Sequence, residues 1–252
     1  MSSGRDTIFF ISDAHFGVAA GEPDNRVKLF GELAADMRGC ASDLFIVGDL
    51  FDFWIEYRFA IRPDYFTVLH ELRSLVESGV KVHYLAGNHD FALGAFLEET
   101  IGISIYYGSL DLILQGRKVH LCHGDGILKQ DVGYRITNSL LRNKTFQKLY
   151  KVIHPNIGVA LGAFCSKTNR KYSTLRLTPE VIEKYRQTAR LRMKQKESDL
   201  VIFAHTHHGE IHKFDEGEYC NTGAWMNHYN YAALRGGKIE LRSYPRRPII
   251  SQ

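Results

Sequence analysis

The sequence predicts an α/β fold with a helical segment inserted into it, and three observations support this prediction. In the first part of the chain, apolar strand-like runs alternate with segments of helical period. Short strand-like runs separated by turn signals follow, and they return near the C-terminus. Between these two β regions lies a basic segment with helical spacing. At 252 residues the chain is long enough for one large domain that carries such an insertion.

The first part of the chain predicts a mainly parallel sheet. Asp24 is placed to cap a helix that runs to Met37, and a second helix follows Pro63 and ends at Gly79. Such an alternation of strands and helices gives right-handed crossovers between parallel strands. The strands that flank these helices are short apolar runs: Thr7–Ser12, Asp43–Val47 and Val80–Ala86.

The later β regions predict hairpins. Turn sequences at Gln115-Gly116-Arg117 and Gly236-Gly237 each join two strand-like runs. Asp199–Phe203, directly after the basic segment, is one more apolar strand. The other predicted strands are Ser104–Tyr107, Leu110–Leu114, Lys118–Cys122, Glu210–Phe214, Glu218–Asn221, Tyr231–Arg235 and Lys238–Ser243, of which the last four are expected to be antiparallel.

Charge is unevenly distributed along the chain. The net charge is +4, but residues 129–200 hold 16 Lys and Arg against 5 Asp and Glu, and the rest is mildly acidic. Apolar residues keep helical spacing within this segment, and a longer helix is predicted from Pro179 to about Lys196. We therefore predict a body formed by residues 1–128 and 199–252 and an inserted basic helical cap formed by residues 129–198.

The composition disfavours secreted and membrane-spanning proteins. No basic segment followed by an apolar run opens the sequence, so we expect no secretory signal. No stretch approaches about 18 consecutive apolar residues, so we expect no membrane-spanning helix. The four cysteines lack metal-type spacing and are expected to be reduced. Together these features predict a cytoplasmic protein.

Side chains that can bind metal follow five of the strand-like runs. The segments are Ser12-Asp13-Ala14-His15, Gly48-Asp49, Gly87-Asn88-His89-Asp90, His123-Gly124-Asp125 and Ala204-His205-Thr206-His207-His208. Carboxylate, amide and imidazole groups at the ends of several strands predict a metal site assembled across a sheet. In extended backbone, Asp13 and His15 would project to the same side, as would His205 and His207, although the latter two need not bind the same ion.

The chemistry of these ligands points to a catalytic site. Oxygen and nitrogen donors without a thiolate disfavour a structural cysteine site and suit Mn²⁺, Fe²⁺ or Zn²⁺, of which we favour Mn²⁺. The set is too large for one ion and fits two that share Asp49, because one carboxylate offers two oxygens. Paired cations acidify water and stabilise phosphoryl transfer, so we predict a phosphoester or pyrophosphate hydrolase. The candidate ligands are Asp13, His15, Asp49, Asn88, His123, His205 and His207.

As a set, these segments resemble the calcineurin-like metallophosphoesterase superfamily, over residues 13–207. The resemblance rests on Asp13-x-His15, Gly48-Asp49-x-x-Asp52, Gly87-Asn88-His89-Asp90, His123-Gly124-Asp125 and His205-Thr206-His207. It implies a four-layer αββα sandwich with the site at the strand ends. It further implies one metal on Asp13, His15, Asp49 and His207, and a second on Asp49, Asn88, His123 and His205.

The resemblance also implies roles for residues beside the metals. His89 would contact the substrate phosphate and help to protonate the leaving group, and Asp90 would orient His89. The superfamily usually has Gly at the position of Ala204, where a methyl group could crowd the turn without removing a ligand.

A narrower resemblance is to the UDP-2,3-diacylglucosamine hydrolases of lipid A synthesis. It rests on Gly48–Trp54, on Asp131-x-Gly133-Tyr134 after His123, and on the Ser166–Tyr172 run in the cap. That family cuts a pyrophosphate to release UMP and an acylated sugar phosphate, and its members usually carry Arg where this chain has His89. The substrate contacts that it implies are Asn88, Asp131, Tyr134, Ser166, Arg170 and Lys171.

A lipid-linked nucleotide sugar would also explain the basic cap. Its Lys and Arg residues would meet the sugar phosphate and attract the protein to an anionic membrane surface, so we expect peripheral association with the inner membrane. Apolar residues in Leu140–Ile153 and Ile157–Phe164 could line a slot for acyl chains, although for any one of them burial of the cap against itself is the better explanation.

Two other functions stay open at this point. One is another phosphoesterase, such as a nuclease, a phosphatase or a nucleotide pyrophosphatase, since a basic module can bind nucleic acid. The cap lacks an aromatic stacking pattern, however, and we expect no nucleic-acid partner. The other is a non-catalytic scaffold, which should have lost some of the ligands that are all present here.

Overall fold

The computed structural model describes residues 4–17, 25–127, 143–172 and 177–245, with the side chains of residues 91, 144, 163 and 165–172 excepted. Within these residues the strands are β1 (Thr7–Ile11), β2 (Ala41–Val47), β3 (Trp54–Ile55), β4 (Lys81–Leu85), β5 (Asp90–Ala92), β6 (Ser104–Tyr106), β7 (Ser109–Leu114), β8 (Arg117–Cys122), β9 (Leu200–Phe203), β10 (Glu210–Phe214), β11 (Gly217–Asn221), β12 (Asn230–Arg235) and β13 (Lys238–Ser243). The helices are α1 (Asn25–Cys40), α2 (Phe66–Glu77), α3 (Lys144–Tyr150), α4 (Pro155–Tyr172), α5 (Pro179–Lys196) and α6 (Trp225–His228), with a 3-10 turn at Pro63–Tyr65 and a π-helical turn at Phe96–Ile101.

The larger sheet has the strand order β13-β12-β1-β2-β4-β6. Its strands β1, β2, β4 and β6 are parallel, with Phe10 opposite Phe45 and Ile46 opposite Tyr84. Helices α1 and α2 provide crossovers between these strands, so the predicted alternation and the mainly parallel sheet are confirmed. Strands β12 and β13 extend the sheet in antiparallel fashion beside β1.

The smaller sheet has the order β10-β11-β9-β8-β7. The predicted hairpin at Gln115-Gly116 joins β7 and β8, and both turn residues have positive φ. Strand β9 lies in the centre, parallel to β8 and to β11. The antiparallel pairing expected near the C-terminus is confirmed for β10 with β11 and for β12 with β13.

The two sheets and the helices form the four layers that the resemblance implied. One face of the larger sheet packs Phe9 and Leu44 against Phe30 of α1 and Leu72 of α2. Its other face packs against the smaller sheet, through Ile8, Phe10 and Phe45 on one side and Leu121 and Ile202 on the other.

Helix α5 forms the fourth layer, on the outer face of the smaller sheet. Tyr185 and Met193 of this helix pack on Val201, Phe203 and Tyr219. The helix begins where it was predicted, with Thr178 as N-cap and Pro179 at its first position. Although it lies within residues 129–198, it contacts the body, so the boundaries of the cap stay a prediction.

The basic residues of α5 are paired with acidic residues of the body. Arg186 lies 2.6 Å from Glu210, and Arg190 and Lys194 each lie 3.0 Å from Glu216. Part of the positive charge assigned to the cap is therefore paired between α5 and the smaller sheet. Each such surface ion pair contributes little stability.

Helices α3 and α4 are the described part of the remaining cap. Phe53 and Tyr57 of the body pack against Tyr150 of α3. None of the helices in the described ranges combines the length and the apolar character needed to cross a bilayer. The cysteines whose side chains are described, Cys40, Cys122 and Cys220, are free thiols.

Candidate metal centre

The loop after β1 is bound to the loop after β2 by backbone hydrogen bonds. The amide of Asp13 donates to the carbonyl of Gly48 at 3.1 Å, and the amides of Ala14 and His15 donate to the carbonyl of Asp49 at 3.0 and 3.1 Å. These bonds hold the first two ligand-bearing segments in one register.

Two glycines allow the strand ends to come this close. Gly48 has a φ of 86°, and a Cβ on it would lie 2.6 Å from the imidazole of His123 and 2.9 Å from the backbone of Gly87. A Cβ on Gly87 would lie 2.8 Å from the amide of Asp49. The Gly-Asp and Gly-Asn sequences therefore reflect a steric requirement of the site.

One group of potential ligands is formed by Asp13, His15 and His207. Their ligand atoms all lie within 4.8 Å of one another, and Nε2 of His207 is 3.2 Å from Oδ1 of Asp13. Asp13 and His15 are almost completely buried. The three side chains come from the loops after β1 and β9, as expected for a site at strand ends.

A second group is formed by Asp49, His123 and His205, also within 4.8 Å of one another. Nε2 of His123 lies 3.3 Å from Oδ2 of Asp49, 3.1 Å from Oδ1 of Asn88 and 3.3 Å from Nδ1 of His205. Oδ2 of Asp49 is also 4.0 Å from Nε2 of His15, so Asp49 lies between the two groups. The structure thus brings all seven candidate ligands together; that they bind metal stays a prediction.

The backbone at these ligands differs from the expectation. The extended geometry proposed for Asp13 with His15, and for His205 with His207, is wrong. The φ angles of these residues are 49°, 46°, 69° and 58°, and that of Asp49 is 55°. Left-handed backbone is unfavourable for non-glycine residues and concentrates at functional sites, where surrounding contacts maintain it. His207 belongs to the first group of potential ligands and His205 to the second.

The pKa values of Asp13, Asp49 and His15 favour cation binding. Burial opposes ionisation of Asp13 and Asp49, but His207 and His123 respectively hold the pKa of each carboxyl well below its usual value. Burial, reinforced by His89, lowers the pKa of His15 to about 3. Charged carboxylates and a neutral imidazole are the protonation states that metal binding requires.

The other histidines show the competition between burial and charge. Burial, reinforced by His123, lowers the pKa of His205 to about 4. Burial would lower the pKa of His123 as well, but the carboxylate of Asp49 raises it well above its usual value. His123 therefore supplies a positive charge beside Asp49, in the position where a cation would replace its proton.

The donor atoms themselves fit divalent metal ions. Nδ1 of His15 is buried and has no hydrogen-bond partner in the described part of the chain. Buried polar atoms are normally satisfied, so such an atom indicates a missing partner. Cys122 is close in sequence to His123, but burial raises the pKa of its thiol to about 12, which keeps it a poor metal ligand.

The imidazole of His89 lies beside the first group, 4.7 Å from the ring of His15 between centroids. Its Nδ1 donates to the carbonyl of Asp52 at 2.6 Å. His15, Asp52 and His89 also bring ligand atoms within 4.8 Å of one another, an arrangement that the sequence did not predict. Asp52 belongs to the Gly-Asp-x-x-Asp pattern, but a contact through its backbone carbonyl could not be predicted because every residue has such a carbonyl.

The hydrogen bonds of Asp90 lie at the turn before it, and its expected role in orienting His89 stays a prediction. Its carboxylate accepts from the amides of Asp49 and Gly87, at 2.9 and 2.8 Å, and from the Tyr84 hydroxyl at 2.6 Å. Asp90 therefore holds the turn that carries Asp49, and the ring of His89 contacts the backbone carbonyl of Asp52. Burial, reinforced by Asp49, raises the pKa of Asp90 to about 6.

A polar network that the sequence did not reveal holds the loop after β9. The buried side-chain amide of Asn221 donates to the carbonyl of Ala204 at 3.0 Å and to the Thr206 hydroxyl at 3.1 Å. The next residue, Thr222, has its hydroxyl 2.7 Å from that of Ser12, which precedes Asp13. Ala204 is not among the residues with positive φ, so its methyl group causes no backbone strain.

The predicted contacts in the cap cannot be placed around this centre. Asp131 and Tyr134 lie outside the described residues. Ser166, Arg170 and Lys171 lie in α4, of which only the backbone is described there. These five residues stay predicted substrate contacts.

An apolar cavity of about 390 Å³ lies between the body and α4. Phe53, Trp54 and Tyr57 contribute to its body side, and Val159 and Ala160 contribute to its helix side. The amide of Trp54, which lines the cavity, donates to the carbonyl of His89 at 3.1 Å, so a backbone hydrogen bond connects the cavity wall to the segment that carries His89.

Known proteins are similar to this chain over most of its length. A family model described as calcineurin-like phosphoesterase matches residues 7–209. The UDP-2,3-diacylglucosamine hydrolase of Porphyromonas gingivalis is 27% identical over 256 residues, which cover 95% of this chain and 98% of that protein. The protein of the same name from Neisseria meningitidis serogroup A is 28% identical over 223 residues, with coverages of 88% and 90%.

Among solved structures, a predicted phosphoesterase from Streptococcus pneumoniae is similar, with a TM-score of 0.46 and 15% identity. The match covers 98% of this chain and 95% of that one.

Proposed function

Because this chain belongs to the calcineurin-like phosphoesterase family, and is therefore a hydrolase, we propose that it cleaves the pyrophosphate bond of UDP-2,3-diacylglucosamine. The products would be UMP and 2,3-diacylglucosamine 1-phosphate. The observation that carries the reaction type is the convergence of two ligand groups on Asp49. The substrate is suggested by relatives that match nearly the whole chain.

Two divalent metal ions would be held by these groups. Asp13, His15 and His207 would hold one and Asn88, His123 and His205 the other, with Asp49 shared between them. When bound, such ions supply positive charge that acidifies water and stabilises the phosphoryl oxygens. The mixture of carboxylate, amide and imidazole donors suits Mn²⁺, which we propose as the native ion, and also accommodates Fe²⁺ or Zn²⁺.

His89 would act on the leaving group. The Asp52 carbonyl keeps the Nδ1 proton of His89 in place. In the doubly protonated form of the ring, Nε2 would then be the nitrogen that delivers a proton to the departing oxygen, and the ring would keep its proton on Nδ1. Asp90 would contribute indirectly, because its hydrogen bonds fix the turn of Asp49.

The cavity under α4 supports an acylated substrate. Its walls are largely apolar, and Phe53, which lines it, directly follows Asp52 in the sequence. A lipid chain could therefore lie in the cavity while the pyrophosphate reaches the metal-binding groups. The polar head would be met by Asn88 and, as the sequence predicts, by Asp131, Tyr134, Ser166, Arg170 and Lys171.

We also propose that the cap meets an anionic membrane surface, without crossing it. Helix α3 and the residues after it expose Lys148 and Lys151 beside Leu149 and Val152. Basic and apolar side chains on one short segment favour the interface of an anionic bilayer. Co-sedimentation with phosphatidylglycerol-containing vesicles should exceed that with neutral vesicles; equal sedimentation would contradict the proposal.

The direct test is incubation of the purified chain with UDP-2,3-diacylglucosamine and Mn²⁺, followed by measurement of UMP. We expect stoichiometric UMP and lipid phosphate, suppressed by a chelator and restored by Mn²⁺. Hydrolysis of an aryl phosphodiester or a nucleotide without any UMP from the lipid substrate would assign the chain to another phosphoesterase activity. Absence of metal from the purified protein, with no hydrolysis of any of these, would indicate a scaffold.

A further inference from the structure

Helix α4 faces the body with two glycines one turn apart, Gly158 and Gly162. Both are buried, whereas Ile157 and Leu161 beside them are 62% and 44% exposed. Glycine is a poor helix former compared with alanine, so two glycines inside a helix require a reason in packing.

The space that these glycines leave is filled by two aromatic rings of the body. A Cβ on Gly162 would lie 2.5 Å from two ring carbons of Phe53. A Cβ on Gly158 would overlap the hydroxyl of Tyr57 and lie 3.1 Å from its Cζ. Because Phe53 and Tyr57 are 4% and 6% exposed, a ring displaced by such a Cβ would turn toward the apolar cavity that it lines. The Tyr150 hydroxyl also donates to the Gly158 carbonyl at 2.6 Å, which ties α4 to α3.

The same rings line the apolar cavity. Phe53 and Tyr57 contribute to its body side, and Val159 and Ala160, which follow Gly158, contribute to its helix side. The approach of the helix to these two rings therefore fixes how far apart the cavity walls stand.

We propose that Gly158 and Gly162 are specificity-determining positioning residues. By letting α4 rest directly on Phe53 and Tyr57, they set the width of the cavity that receives the acyl part of the substrate. They touch neither the ligand groups nor His89. The inference rests on the proposed function for the identity of the substrate, but the packing that it describes can be tested without it.

The first test compares Gly162→Ala with a matched substitution, Gly39→Ala. Gly39 also lies in a helix, but a Cβ there would meet nothing within 4 Å. Gly162→Ala should raise the KM for UDP-2,3-diacylglucosamine at least about tenfold, the scale of one methylene misfitted in an apolar pocket. Turnover of bis(p-nitrophenyl) phosphate should change by less than about twofold, and Gly39→Ala should match the parent on both substrates.

A rescue experiment separates the spacing from a general loss of stability. The Tyr57 hydroxyl is buried and has no hydrogen-bond partner among the described residues, so Tyr57→Phe alone should be nearly neutral. Gly158→Ala should impair lipid hydrolysis, and Tyr57→Phe in that background should restore most of it, because it removes the overlapping atom. Failure of the double variant to recover would overturn the assignment of Gly158.

Hydrogen exchange supplies a readout that needs no substrate. In Gly162→Ala, peptides covering residues 53–65 and 155–164 should exchange faster than in Gly39→Ala, because the helix no longer rests on the body. Unchanged exchange, or equal losses on lipid and aryl substrates, would overturn the proposal. If the parent protein does not cleave the lipid, the proposed function fails, and the exchange result alone decides whether the glycines set the spacing.

Discussion

The candidate metal centre and the contact between α4 and the body are held together in different ways. At the centre, backbone and side-chain hydrogen bonds from neighbouring loops fix each ligand, as when the amide of His205 donates to Asp13 at 3.1 Å and that of His89 to Asp49 at 2.8 Å. Under α4, the contact is mostly steric, with two glycines against two rings.

This difference indicates how the chemistry and the choice of substrate are separated. Directional bonds in a buried site tolerate little displacement, which suits a reaction that depends on fixed distances. Apolar contacts between complementary shapes can be altered by one methyl group without changing the chemistry. Substitutions at the centre should therefore abolish activity on every substrate, and substitutions under or on the cap should discriminate between substrates.

The largest effect is expected from Asp49→Ala, since Asp49 lies between the two ligand groups. Loss of the shared carboxylate should lower kcat more than about 10³-fold on lipid and aryl substrates alike. Metal analysis after dialysis should show less than the parent's content. Asp215→Ala, which removes an exposed carboxylate, is the control and should retain both properties. Substantial turnover by Asp49→Ala would contradict the shared role.

His89→Ala should give the next largest effect and separates catalysis from metal binding. Without the imidazole, proton delivery to the leaving group is lost, and kcat should fall about 10²–10⁴-fold. Metal content, measured on the same preparation, should stay at the parent's level. If metal is lost in parallel with kcat, His89 is a ligand, as its closeness to His15 and Asp52 would permit.

A smaller effect is expected at Asn221, which touches no candidate ligand side chain. Asn221→Ala leaves the carbonyl of Ala204 and the hydroxyl of Thr206 without their donor. Such supporting groups typically change metal affinity by about 10–100-fold, and an unsatisfied buried acceptor costs about 1–3 kcal/mol of unfolding free energy. Calorimetric titration with Mn²⁺ and urea unfolding measure both, with the exposed Asn227→Ala as control. An unchanged Mn²⁺ affinity would reduce Asn221 to a purely structural residue.

Most elements of the body and the set of candidate ligands could be predicted from the sequence. Strands, helices and ligand-rich strand ends all leave local sequence signals. Apolar runs followed by glycine and a ligand mark strand ends such as those at Asp49 and Asn88. The short elements β3, β5 and α6 were missed, since a few residues carry no measurable period.

What the sequence could not predict depends on contacts between distant residues. The left-handed backbone of Asp13 and His15 is maintained by hydrogen bonds to the loop after β2, and the Asp-x-His sequence does not predict this conformation. The hydrogen bond from His89 to the backbone carbonyl of Asp52 could not be predicted from the sequence either. The positive charge of α5 suggested a cap. The acidic residues that pair with this helix, Glu210 and Glu216, lie beyond strand β9 in the sequence, so the pairing could not be predicted.

The smallest effect is expected from basic residues of the cap, which are predicted to contact the substrate. Replacing Arg170 and Lys171 together by Ala should weaken use of the lipid substrate by about tenfold, within the limit of about 30-fold set by roughly 1 kcal/mol for each basic residue near an anionic surface. The aryl phosphodiester, which needs neither the surface nor the cap, should be hydrolysed as before. Lys28→Ala with Lys81→Ala removes the same charge from exposed positions of the body and should leave both rates unchanged. Since added salt screens such charges, the defect should shrink as ionic strength rises. Equal losses on both substrates would mean that these residues support the centre itself, and the separation between chemistry and substrate choice would not hold.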